Sequence, residues 1–310
     1  MQIIYQSEIK NLFPCVATVG FFDGLHAGHR FLLEELKSIA KTQHLKSVVV
    51  TFANHPRKVL NPDFKPELLN TLTEKIHQLE STGIDGCIVL DFSLHLAGLS
   101  AYEFLKTILK DQFNVQTLLV GHDHRFGHNR TDGFPEYKKY GEALGINVIQ
   151  CSQFNTDVDS QISSSEIRKA LREGEIELAN RLLTYNYSMH GKIVEGFKVG
   201  KSIGYPTANI EPDDSEKLIP ANGVYAVRVG WNNLFYKGML NIGHRPTLEN
   251  GHNISIEVHI IDFEENIYNQ SLEIEFIRKI RNEQKFKGIE ELKEQLQKDK
   301  LLVSGMDIDL

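Results

Sequence analysis

The sequence predicts a two-part α/β chain, in which a parallel, doubly wound sheet with its helices is followed by an antiparallel β-barrel ending in a helix. Three observations predict it. Short apolar runs alternate with amphipathic helical patterns over the first part. Beyond about residue 185 the strand-like runs follow one another with only polar or glycine breaks between them. A helical stripe then closes the sequence.

In chain order, the runs at 15 to 19, 47 to 52, 86 to 91, 116 to 120 and 146 to 151 read as buried strands. The stretch HRFLLEELKSIAKTQ carries apolar residues at helical spacing, and Thr71 with Glu74 and Ser100 with Glu103 stand at capping-box spacing at two further helix starts. The helix EIELANRLL and the following TYNYS place a domain boundary near Tyr185 to Met189, giving units 1–185 and 186–310. In the second unit MHGKIVEG, GVYAVRVG, LFYKGMLNIG, NISIEVHIIDF and LEIEFIRKIR read as barrel strands, and GIEELKEQLQKDK puts Ile289, Leu292 and Leu296 on one stripe.

Composition narrows the function classes. With 310 residues, 41% hydrophobic and 24% charged, both units can bury a core. A formal net charge of −7 argues against a nucleic-acid partner, although a mononucleotide needs only a local positive site. Cys15, Cys87 and Cys151 are odd in number and far apart, which suggests reduced thiols and neither a disulfide framework nor a zinc knuckle. No charged start leads into an apolar signal segment, and no apolar run approaches the roughly 18 residues that span a bilayer. A soluble cytoplasmic protein with no membrane partner is expected.

The most informative stretch is GFFDGLHAGH, from Gly20 to His29. It lies between a buried-strand run and a helix, so it occupies a strand-to-helix turn. Its glycines Gly20, Gly24 and Gly28 permit close backbone approach, and free amides at a helix start favour an anion. His26 and His29, three residues apart on a first helical turn, share one side and can donate to phosphoryl oxygens as charge builds up. A nucleotide phosphate site is the expectation.

This stretch resembles the HxGH motif of the nucleotidylyltransferases, and FFDGLHAGH is similar to the adenylyltransferase half of bacterial bifunctional riboflavin kinase/FAD synthetases. TFANHPRKVL from Thr51, LLVGHDHRFGHNR from Leu118 and ISSSEIRKAL from Ile162 resemble further blocks of that family in the same order. Each also makes local sense. SVVVTF and QTLLVG deliver Asn54, His55 and Pro56, then Gly121 and His122, at strand ends where open α/β sheets bind ligands. Ser163 with Glu166 caps a helix whose first turn holds Ser164 and Ser165, with Arg168 one turn on.

The resemblance implies a Rossmann-like first domain in which His26 and His29 are catalytic. Its nucleotide site would draw on Gly20, Phe22, Asp23, Gly24 and Gly28, then Asp123 and Asn129, then Ser163, Ser164, Ser165 and Arg168, with Ser164, Ser165 and Arg168 holding the leaving pyrophosphate. Asn54, His55, Pro56, Arg57 and Phe126 are implied flavin contacts, with a turn role for the first four and core packing for Phe126 still open. By residue type alone His122, Asp123, His124 and His128 could instead hold a transition metal.

In the second unit GFKVGKS, from Gly196, imitates a phosphate-binding P-loop and fails. Three residues separate Gly196 from Gly200 where four are needed, and Gly204 and Pro206 fall where the following helix should run. GKSIGYPTANI instead resembles the riboflavin kinase signature, and GVYAV, NIGHRPT and IEVHIIDF match the rest of that module in order. The resemblance implies ATP contacts at Gly196, Gly200, Lys201, Thr207 and Asn209, with Thr207 and Asn209 also holding Mg2+, and Glu257 as general base. A hydroxyl and a carboxamide are hard oxygen donors suited to magnesium. Glu257 alternates with Ile256 and Val258, so it faces away from the side they line.

Departures from the family pattern are lysine for arginine at Lys201, tyrosine for phenylalanine at Tyr205 and serine for threonine at Ser165. Lys201 keeps the charge and loses the bidentate fork. The implied activity is phosphorylation of riboflavin to FMN by the second unit and adenylylation of FMN to FAD by the first, with ATP as donor in both and no resident redox cofactor. Two other readings stay open on the residues alone, a transferase acting on another phosphate acceptor and a non-catalytic flavin-binding protein.

Overall fold

A computed structural model describes residues 1–6, 13–122, 124–128, 131–154, 162–195, 200, 203–244 and 254–310. They form two compact units, Met1–Ile162 and Ser163–Leu310.

The first unit is a six-stranded parallel sheet. Its strands are β1 (Gln2–Tyr5), β2 (Cys15–Val19), β3 (Lys46–Phe52), β4 (Gly86–Leu90), β5 (Val115–Val120) and β6 (Asn147–Gln150), in the order β1-β4-β3-β2-β5-β6. All five of β2 and all five of β4 are buried, as expected for strands covered on both faces. Two apolar clusters flank the sheet. One holds Ala17, Val48, Val50, Leu105 and Tyr137, the other Val16, Leu33, Leu36, Val49 and Leu119. Neighbouring residues of one strand thus divide between the two faces, which is the strand period at work.

Its helices are α1 (Ala27–Gln43), α2 (Pro56–Leu60), α3 (Leu72–Glu80), α4 (Leu94–Gly98), α5 (Ala101–Glu103), continued by a π-helical stretch Phe104–Gln112, and α6 (Phe134–Leu144). Of the three capping boxes read from the sequence, those at Thr71/Glu74 and Ser100/Glu103 form, whereas at Ser163/Glu166 only the serine half is present, Glu166 N donating to Ser163 Oγ. Strand order reverses at β2, which has β3 on one side and β5 on the other. The crevice beyond the carboxyl ends of β2 and β5 is therefore the topological switch point, where sheets of this kind bind ligands.

The second unit opens with α7 (Ser164–Glu173) and α8 (Ile176–Leu183) and continues as a closed antiparallel barrel of β7 (Ser188–Val194), β8 (Ala208–Pro212), β9 (Gly223–Trp231), β10 (Leu234–His244), β11 (Ile254–Ile260) and β12 (Ser271–Arg281). The barrel order is β10-β11-β8-β7-β12-β9. It has one strand more than the sequence runs suggest, because the segment after Thr207 pairs as β8 between β7 and β11. The two helices pack with the barrel: Asn180 Nδ2 donates to Phe276 O at 2.8 Å, and Ala221 N to Leu171 O at 2.9 Å. Division by packing thus falls at Ile162/Ser163, whereas the change in sequence pattern falls near residue 185.

The terminal helix α9 (Ile289–Ser304) buries Val303 against Ala226, Met239 and Ile261 of the barrel. Arg281 at the end of β12 grips Asp299 of α9 at 2.8 Å, and Asp299 is buried. Of the expected stripe, Leu292 and Leu296 are half-buried and Ile289 is exposed.

Candidate functional site

The turn after β2 brings the two histidines together. Gly20 N donates to Val50 O at 3.0 Å, keeping the chain on the sheet past the last residue of β2. Phe22 and Leu25 then adopt positive φ angles of 54° and 33°, and Gly24 one of 81°. A non-glycine residue in that region carries backbone strain, of the kind concentrated at ligand sites. The buried Phe22 ring meets the His29 ring edge-on at 5.2 Å. Asp23 is buried too, and its carboxylate accepts from Leu69 N and from Asn70 N, both at 3.0 Å.

His26 is the N-cap of α1, its Nδ1 accepting the His29 backbone N–H. Nδ1 therefore carries no proton, and the remaining ring proton sits on Nε2. The two rings stack 3.7 Å apart at 16°. Burial pushes the His26 imidazole down to about 4, and burial with the nearby His26 and His124 holds His29 well below the usual histidine value. Both rings are neutral at pH 7. His29 Nδ1 is buried and has no hydrogen-bond partner among the described residues. A neutral pair of this kind, stacked at a helix start, offers directed N–H donors to an incoming anion.

The carboxyl end of β3 contributes an aromatic and cationic cluster beside this turn. His55 caps α2 by accepting Arg57 N at 3.2 Å, and Pro56 takes the first helical position. The His55 ring meets Phe21 edge-on at 4.8 Å and lies 5.3 Å from Phe64, over which Arg57 places its guanidinium at 4.5 Å. Asn54 is exposed beside them. Sequence reading missed Phe21, Phe64 and Lys75, the last a buried cation that donates to the carbonyls of Phe21 and Phe52. Phe126 is stacked on Tyr137 at 4.1 Å and packs on the sheet core, so one of its faces is already covered. Asp123 and Asn129 lie outside the described residues, as do Gly196 and Lys201.

Ser163 caps α7 by accepting Glu166 N at 3.3 Å, and Ser164, Ser165 and Arg168 follow on its first two turns. These residues belong to the second compact unit, whereas the histidine turn belongs to the first.

The barrel gathers a different constellation. Thr207 Oγ1 donates to Glu257 Oε2 at 3.3 Å, and Ser255 Oγ donates to Glu257 Oε1 at 2.8 Å. In register Glu257 lies between Asn209 of β8 and Asn241 of β10. His259, next on the same face of β11, approaches Pro206 O at 2.8 Å and so must carry its proton on Nδ1. Alternation along β11 serves two cavities. Glu257 and His259 border one of about 340 Å³, with Asn241, Leu292 and Leu296; Val258 and Ile260 border another of about 440 Å³, with Phe263 and Tyr268. Thr207 lines both. Gly200 also borders the first, and a Cβ there would lie 2.2 Å from Tyr205 O, so any side chain would force the backbone to shift.

Oxygen donors of Thr207 and Asn209 beside a carboxylate suit a hard dication that keeps water and phosphate ligands. Among the described residues no group of three or more histidine, cysteine, aspartate or glutamate side chains could hold a metal ion by itself. No helix among them is long and apolar enough to cross a membrane.

Comparisons with known proteins match each part of the chain to a family. A family model described as FAD synthetase matches residues 8–166, and one described as riboflavin kinase matches residues 183–305. The bifunctional riboflavin kinase/FMN adenylyltransferase of Bacillus subtilis (strain 168) is 37% identical, over 92% of this chain and 90% of that protein. The enzyme of the same name from Escherichia coli (strain K12) is 35% identical, over 93% of this chain and 91% of that protein. A solved structure from Streptococcus pneumoniae, described as a macrolide-efflux protein, superposes with a TM-score of 0.91 at 29% identity, over 99% of this chain and 100% of that one. Two family models in chain order, and relatives matched over nine-tenths of their length, coincide with the histidine turn in one unit and the Thr207/Glu257 pair in the other. The chain belongs to the bifunctional riboflavin kinase/FMN adenylyltransferase family.

Proposed function

We propose that the chain makes FAD in two ATP-dependent steps, phosphorylating riboflavin in the barrel and adenylylating the resulting FMN at the histidine turn. The observation that carries the first step is the Thr207–Glu257 contact at the meeting of two cavities, which gives room for two substrates on either side of a hydroxyl–carboxylate pair. Glu257 accepts the proton of the ribityl 5'-hydroxyl as that oxygen attacks the terminal phosphorus of ATP, and ADP leaves. Thr207 and Asn209 would hold Mg2+, which when bound offsets charge on the transferring phosphoryl. By family likeness Gly196, Gly200 and Lys201 are assigned to the nucleotide.

In the second step the FMN phosphate is already an anion and needs no base. Its oxygen attacks the α-phosphorus of ATP and pyrophosphate leaves. His26 and His29 place neutral N–H donors toward the phosphates, so catalysis rests on positioning and charge stabilisation. Gly20, Gly24 and Gly28 let the backbone approach, while Phe22 and Asp23 set the turn. Asn54, His55, Pro56 and Arg57 contact the flavin, which the Phe21/Phe64 cluster supports. By family likeness Asp123, Phe126 and Asn129 are assigned to the nucleotide and flavin, Ser163 to the nucleotide, and Ser164, Ser165 and Arg168 to the leaving pyrophosphate. Three buried free cysteines fit a cytoplasmic enzyme with ATP and flavins as its partners.

Incubating the purified chain with riboflavin and Mg-ATP, then separating the flavins, tests both steps. FMN and then FAD should accumulate. No FMN would sink the kinase assignment, and FMN without FAD the adenylyl-transfer one.

A further inference from the structure

Lys75 is buried in the first unit, yet it makes no ion pair with a carboxylate among the described residues. Its Nζ donates to Phe52 O at 2.9 Å and to Phe21 O at 3.2 Å, and stands 4.1 Å from the centre of the Phe21 ring. Phe52 ends β3 and leads into Asn54, His55, Pro56 and Arg57; Phe21 opens the strained turn that leads into His26. One ammonium thus ties together the two loops that carry the phosphate-binding and flavin-binding residues. A lysine on a helix is ordinarily exposed, and enclosing its charge costs free energy unless its donors are used.

The segment that carries Lys75 is held from the other side by the same turn. Asp23, two residues past Phe21, accepts from Leu69 N and Asn70 N immediately before α3. The contact is therefore reciprocal: Asp23 holds the start of the α3 segment, and Lys75 of α3 holds Phe21 and Phe52. Between the two anchors lies Phe22 at φ 54°, whose ring meets His29. A turn held in a rarely populated conformation persists only where its surroundings over-determine it.

We infer that Lys75 is a positioning residue for adenylyl transfer, setting the spacing between the histidine turn and the His55 loop through the carbonyls of Phe21 and Phe52. The inference rests on the adenylyl-transfer reading of this turn. Lys75 touches no reacting atom; its effect is on where His26, His29 and the flavin contacts sit, and a misplacement of about 1 Å at such a site can cost about a hundredfold in rate.

Burial lowers the Lys75 ammonium to about 8, with Asp23 of the turn and Cys87 of β4 as the titratable groups that face it and oppose that shift. The cation that strengthens both carbonyl bonds is consequently lost as pH rises through about 8.

The test compares the full-length wild type, Lys75→Met and Lys75→Arg in FMN-to-FAD conversion, with riboflavin phosphorylation measured on the same samples. In Lys75→Met, kcat/KM for FAD formation should fall about ten- to a hundredfold, with riboflavin phosphorylation unchanged; Lys75→Arg, which keeps charge and donors, should recover part of it. Wild-type FAD formation should weaken as pH passes about 8, and Lys75→Arg should lack that limb. A folded Lys75→Met protein with wild-type kcat/KM overturns the inference. If neither variant folds, absence of the alkaline limb in the wild type overturns it instead. A wild type that makes no FAD at all contradicts the adenylyl-transfer reading itself.

Discussion

His26 Nδ1 accepts the backbone N–H of His29, and the two imidazoles stack 3.7 Å apart on the first turn of α1. The cap fixes the tautomer of His26, and burial keeps both rings neutral. Replacing His29 by alanine removes the ring and keeps the cap. His29→Ala should lower FAD formation by about 10²- to 10³-fold without slowing riboflavin phosphorylation, as measured by separation of the flavin products.

The same pair makes the first unit sensitive to acid. In the unfolded chain His26 takes up a proton near pH 6.5, whereas in the folded chain it does so only near 4. Stability is therefore complete above about 6.5 and is lost as pH falls toward 4, by on the order of 3 kcal/mol from this ring. Hydrogen exchange of the β2 and α1 amides should accelerate over that window. In His26→Asn, which keeps a cap acceptor and cannot titrate, the acceleration should be smaller.

The Gly200 turn offers a steric test of the kinase unit. A Cβ would stand 2.2 Å from Tyr205 O, a backbone atom that cannot step aside cheaply. Gly200→Ala should displace the segment leading to Thr207, costing about 1 to 3 kcal/mol where the backbone must shift. Riboflavin phosphorylation should drop while FMN-to-FAD conversion persists. Unchanged phosphorylation kinetics would contradict a role for this turn.

Arg281 and Asp299 fasten α9 beside the Glu257 cavity with nearly enclosed charges, at 14% and 3% exposure. Arg281→Met leaves Asp299 buried without its cation, a change worth about 3 to 5 kcal/mol. The second unit should unfold at lower denaturant concentration, which fluorescence of Trp231 on β9 can follow.

Much of this was legible because it is periodic or local. Strand alternation put Glu257 opposite Ile256 and Val258, and Ile256 and Val258 are indeed buried. Capping spacing located the starts of α3 and α5, and the HxxH spacing placed His26 and His29 on one side. Edge strand β1 escaped, since only Ile4 of its four residues is buried and no periodic signal survives in so short a run. Strand β8 escaped because Thr207 to Ile210 look like a polar loop until β7 and β11 are seen to flank them.

Lys75 and Asp23 show what local pattern cannot reveal. Nothing in TEKIHQLE distinguishes a solvated lysine from one enclosed under two strand ends, because its partners, Phe21 and Phe52, are distant in sequence and are backbone carbonyls. The Asp23 carboxylate accepts from the amides of Leu69 and Asn70, partners equally distant in sequence. The positive φ at Phe22 is likewise imposed by tertiary contacts on a residue type that does not favour it.

The central claim is that the two chemistries use separate catalytic residues, with Glu257 of the barrel serving only riboflavin phosphorylation. The most direct measurement gives Glu257→Gln riboflavin in one reaction and FMN in another, both with Mg-ATP. FMN formation should fall by about 10²- to 10⁴-fold, the loss expected for a general base, while FAD still forms from FMN at the wild-type rate. Loss of both activities in folded protein, or retention of riboflavin phosphorylation, would contradict it.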